Sequence, residues 1–76
     1  MSEQPDLERF DYIDKTILIG PRVVIVRRTR ELRWEVEGYD DIRSAFLERD
    51  CKFRTYCAYE ATAIREARYW ASGVDA

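Results

Sequence analysis

Seventy-six residues are enough for one domain, and a chain of this size buries only about 60% of the surface its unfolded form exposes. With 46% hydrophobic and 37% charged residues, it is too apolar for a disordered segment. A net charge of −2, from 13 basic and 15 acidic side chains, marks it neither as a bulk polyanion binder nor as an acidic mimic.

The N-terminal stretch Met1-Ser2-Glu3-Gln4-Pro5-Asp6 has no basic n-region or apolar h-region, so a signal peptide is not expected. Residues 1–5 are expected to fray. Asp6 to Ile13 fits a short helix with Leu7, Phe10 and Ile13 on one face and Pro5 at or before its first turn. From Ile17 to Arg28 the chain is rich in β-branched residues, and Gly20-Pro21 divides it into two strand pieces. Val23 to Val26 is apolar on both faces, as in a central strand covered by a helix on one side and, on the other, by something else such as the N-terminal segment. These runs are far too short to span a membrane. Glu31 to Glu37 alternates strictly, with Leu32, Trp34 and Val36 facing inward and Glu31, Arg33, Glu35 and Glu37 outward. The link before it is short enough for a hairpin but lacks an Asn-Gly or Asp-Gly turn. Asp40 or Asp41 can cap a short helix carrying Ile42, Ala45 and Phe46, or the stretch from Gly38 to Asp50 is irregular. Cys51 to Tyr56 reads as another strand. Cys57 to Ser72 is the main helix, with Cys57, Ala61, Ile64, Ala67 and Ala71 on one face and Gly73 as its stop. Residues 74–76 are expected to fray.

The expected architecture is a single α+β domain, a small antiparallel sheet of about three strands with a C-terminal helix packed across it.

The residue content argues against catalysis. There is no histidine, so the commonest acid–base group is missing, and neither cysteine has the partner of a thiol enzyme. Three glycines, Gly20, Gly38 and Gly73, form no phosphate-cradling loop. Cys51 and Cys57 are too few for a structural zinc site or a disulfide framework. A strand over 51–56 would hold them about 20 Å apart, beyond disulfide reach. Both are read as reduced, buried thiols of a cytoplasmic protein. No cofactor or metal is expected.

Two signals point to contact surfaces. Tyr59, Tyr69 and Trp70 fall outside the Ile64-centred helix face, and such aromatics are enriched in binding hot spots. Arg27, Arg28, Arg30 and Arg33 cluster at the link between two strands; Arg27, Arg28 and Arg30 surround a turn and are expected to be exposed. A basic hairpin of this kind contacts phosphates or enters a major groove, although Glu31, Glu35 and Glu37 beside it would repel a phosphate backbone. A solvated, salt-bridged surface explains the same charges, and a Trp70 that widens the core edge explains the aromatic signal.

The strand containing Trp34-Glu35-Val36, the later Phe53-Arg54-Thr55 and the helix ending Glu66-Ala67-Arg68-Tyr69-Trp70 together resemble the three-stranded DNA-binding domain at the N-terminus of tyrosine integrases, over roughly residues 32–71. That resemblance implies sheet-mediated DNA reading with Arg33 and Arg54 as readers. In size and architecture, the chain is also similar to small phage-encoded inhibitors of the anti-CRISPR kind. These are compact sheet-plus-helix domains that occlude a host protein surface.

The leading expectation is therefore a non-enzymatic protein-binding module, anchored by Tyr59, Tyr69 and Trp70 and oriented by Arg27, Arg28 and Arg30. A nucleic-acid-binding domain using Arg27, Arg28, Arg30, Arg33 and Arg54 is the alternative. A homodimer through the aromatic helix edge is the third. No membrane partner is expected.

Overall fold

The computed structural model describes residues 7–73; the expected frayed tails at 1–5 and 74–76 lie outside that range. Five strands form one antiparallel meander, each paired with its neighbours in sequence: β1 (Glu8–Asp11), β2 (Lys15–Ile19), β3 (Val23–Arg28), β4 (Trp34–Tyr39) and β5 (Phe53–Cys57). Between β4 and β5 lies a short helix, α1 (Ile42–Leu47), and the chain closes with α2 (Glu60–Ala71). The α+β class and the C-terminal helix hold, but among the described residues the sheet has five strands rather than about three.

β3 is central, as its doubly apolar run requires. Leu18, Val24, Val26 and Val36 point to one face and are sealed beneath α2. Ala63, Ala67 and Ala71 are fully buried there. Their spacing of four residues puts three methyl groups in a row on one helix side, which lets the helix axis lie close to the sheet. Trp70, Ile64, Phe53 and Trp34 pack around that core. The helix begins at Glu60, behind the extended N-cap residue Tyr59, rather than at Cys57, which ends β5. Ala61 is exposed and Ala63 is buried in its place, because the core face of the helix is centred on Ala63, Ala67 and Ala71 rather than on Ile64. Gly73 adopts φ +79° just past the end, and its N–H donates to the Trp70 carbonyl, so the helix stops where glycine tolerates the left-handed turn.

Among the described residues, the opposite face of β3 is covered by α1, while Glu8–Asp11 of the N-terminal segment pairs along the edge of β2. Val23, Ile25, Tyr39 and Ala45 form this second core, with Ile17, Ile19 and Cys51 around it. Asp41 caps α1 by accepting from the Ser44 N–H at 2.7 Å.

The expected helix over residues 6–13 is instead β1 within the described residues, with the register Glu8↔Ile19 to Asp11↔Thr16. So short a segment cannot sustain a helix without packing, whereas the β2 edge offers a hydrogen-bonding template. The expected strand from Glu31 begins only at Trp34. Leu32 is exposed, with φ 60° in the hairpin loop, so it does not share an inward face with Trp34 and Val36.

Candidate functional site

α1 is only six residues long, and one helix turn and a half cannot cover a five-stranded sheet. Strand alternation puts Phe10, Ile17, Ile19, Val23 and Ile25 on the α1 side of β1–β3. On β4 and β5 the same face carries Glu35, Glu37, Arg54 and Tyr56. The face is thus apolar on one half and charged on the other, with α1 lying between them over β3 and β4.

On the apolar half a cleft of about 220 Å³ remains between α1 and β2–β3. Ile17, Ile19, Val23 and Ile25 form its floor; Ile42, Ala45 and Phe46 form its wall. Phe46 is 84% exposed and Ile42 57%, although both belong to the apolar stripe that a packed helix would bury. Phe10, also exposed, stands across from Ile17 and extends the surface toward the sheet edge. At one end the rim carries Lys15, Arg27 and Glu48. At the other lie Asp40, Asp41 and Arg43, with Glu8 opposite Ile19.

The charged half is held by Glu37, which is 4% exposed. Its Oε2 accepts from Arg54 Nη2 at 2.8 Å and, at a long 3.5 Å, from the Tyr39 hydroxyl. Its Oε1 lies 3.3 Å from Arg27 Nη1, an ion pair without hydrogen-bond geometry. Arg27 Nη2 also meets Glu48 at 2.7 Å. Glu37 is thus a buried anion neutralised by two arginines, not the outward-facing repulsive charge expected from alternation. Burial, and then the Glu37 charge, push the Tyr39 hydroxyl up to about 12.

These contacts redistribute the expected site residues. Arg27 is half-buried and ion-paired, not exposed at a turn. Arg54 is tied to Glu37. Arg28 is exposed with its guanidinium 5.9 Å from the Trp34 ring. Arg30 and Arg33 are exposed in the β3–β4 loop. Tyr59, exposed at the start of α2, lies toward this end of the sheet, since β5 pairs Cys57 with Trp34.

Tyr69 and Trp70 sit at the other end of α2. Tyr69 is exposed beside a shallow groove lined by Arg9, Ile64, Arg65 and Arg68. Trp70 is half-buried: its ring stacks on Phe53 at 5.8 Å and 16°, and Arg22 lies 4.6 Å from its centroid. The six residues expected to bind a partner therefore do not share one patch. The cleft residues Ile17, Ile19, Ile42 and Phe46 were missed as a surface. The signal available was that two apolar faces on β3 need two covers, and the second is a helix with too few residues.

Both cysteines are free and partly buried. Burial, and then Glu66, raise the Cys57 thiol, which makes it a poor nucleophile at neutral pH. Among the described residues, no three His, Cys, Asp or Glu side chains gather as metal ligands, and no helix is long and apolar enough to cross a membrane.

No protein-family model matches this chain. No curated protein and no solved structure matches it at a significant level.

Proposed function

We propose that this chain is a non-enzymatic protein-binding module whose contact surface is the α1 side of β1–β3. One observation carries the reading: aromatic and aliphatic side chains of α1, Phe46 and Ile42, stand exposed beside an apolar cleft floored by four β-branched residues. Exposed apolar side chains scattered singly are ordinary, but a contiguous group rimmed by charge is the usual anatomy of a contact site. A chain without histidine, whose Cys57 thiol is raised, supports the non-enzymatic half of the reading. An inhibitor that occludes a host protein surface is one form such a module takes. Tyr59 and Tyr69 remain as secondary contacts on the α2 side.

A photo-crosslinking residue placed at Phe46, and in a second variant at Tyr69, tests the surface in cells that produce the chain. Polypeptide adducts from position 46 are expected. Adducts from position 69 alone would move the contact surface to α2, and no adduct from either would remove the reading.

Nucleic-acid binding is the second reading. It is favoured by Arg28, Arg30 and Arg33, which are exposed together around one hairpin. Arg27 and Arg54, already committed to Glu37 and Glu48, weaken it, because a phosphate would have to replace carboxylate partners.

A further inference from the structure

We propose that the partner fitted by the α1-side cleft is a second copy of this chain, packed about a two-fold axis. The inference rests on the protein-binding reading of that face and names its occupant.

A two-fold contact is isologous, so each surface must carry both the projecting group and its receptor. This face does. Phe46 projects from α1, and the cleft floored by Ile17, Ile19, Val23 and Ile25 lies beside it. A cavity of about 150 Å³ is enough for benzene, and the cleft is about 220 Å³, so the phenyl ring of one copy fits the cleft of the other.

Charge sets the same orientation. At one end Arg27 is balanced by Glu37 and Glu48, so Lys15 supplies the positive charge of that rim. The opposite end, with Glu8, Asp40, Asp41 and Arg43, carries a surplus of negative charge. A parallel arrangement of two copies sets like ends together. The two-fold arrangement runs the strips antiparallel and brings Lys15 of each copy toward Asp40 and Glu8 of the other. Opposed charges at an interface fix register and suppress the wrong arrangement. A second copy matches this gradient by symmetry.

Sedimentation equilibrium on the full chain should give the mass of two 9.1 kDa chains. Phe46→Asp should return it to one chain without loss of circular dichroism. Lys15→Glu and Asp40→Lys should each raise the dissociation constant about two- to thirtyfold, because a two-fold contact contains each exposed ion pair twice, and the double variant should recover much of the loss. A single-chain mass for the natural sequence at the highest attainable concentration overturns the proposal. So does a dimer that survives Phe46→Asp. The position-46 crosslinker separates this outcome from failure of the parent reading. An adduct of twice the chain mass supports both, adducts with foreign polypeptides alone overturn only the second copy, and no adduct overturns both.

Discussion

Leu32 occupies a backbone position that favours glycine. The Thr29 carbonyl accepts from the Leu32 N–H and the Arg33 carbonyl from the Thr29 N–H, which is the three-residue hairpin that ends on a left-handed residue. A side chain in that region costs about 1–2 kcal/mol, and exposed Leu32 has little packing to offset it. Leu32→Gly should therefore stabilise the fold by about 0.5–1 kcal/mol, seen as a raised urea midpoint with an unchanged slope. Glu48 is left-handed too, at φ 53°, but there a contact offsets the strain. Its carboxylate holds Arg27 and fastens the end of α1 to β3. The Arg27 hydrogen bond, and then its charge, hold Glu48 below its ordinary value of 4.5. A depressed carboxylate contributes stability that is present above the unfolded value and is lost as pH falls through the folded one. The natural chain should lose this increment below about pH 4.5. Glu48→Gln should lack that part of the acid limb in denaturation curves taken between neutral pH and pH 3.

At the scale of elements, α2 and β4 meet through Gly38. A methyl group there would lie 2.7 Å from the Trp70 ring, which is itself stacked on Phe53. The Trp70 ring would have to shift against Phe53 and the core that both rings flank. Gly38→Ala should cost about 1–3 kcal/mol by overpacking, read as a lower denaturation midpoint together with a shifted tryptophan emission. α2 itself was legible in the sequence, because alanine spacing, the charged opposite side and Gly73 all point to one helix. Its N-terminus was not. Cys57 satisfies the helical wheel, but its backbone pairs with Trp34, and ladder hydrogen bonds at a sheet edge decide such a boundary. β1 departs from its helical pattern for a similar reason: Leu7, Phe10 and Ile13 have helical spacing, while Glu8–Asp11 finds its hydrogen bonds on β2.

The whole molecule is a sheet with a full cover on one side and a partial cover on the other. α2 spans the first side with twelve residues; α1 covers the second with six, and the part that the described residues leave open includes the apolar cleft. That asymmetry ranks the two functional readings. A sheet-reading DNA-binding domain needs a basic surface, and here Arg27 and Arg54 are paired with Glu37 while Glu35 stands beside them. The chain should accordingly show no steeply salt-dependent binding to random duplex DNA at about 50 mM salt. Fluorescence anisotropy of a labelled duplex checks this, and tight binding that weakens with added salt would restore the nucleic-acid reading.

The sequence by itself determined the α+β class, the central position of β3, a short helix capped by Asp40 or Asp41 as one of two options, and the course of α2 up to Gly73. Each depends on local periodicity or on a cap, and those act between residues a few positions apart. Only the tertiary structure decided the five-strand count, the burial of Glu37 between two arginines and the exposure of Phe46 beside a cleft. These depend on which distant strands pair and on how much sheet a helix of fixed length can cover. No residue's own chemistry records that area.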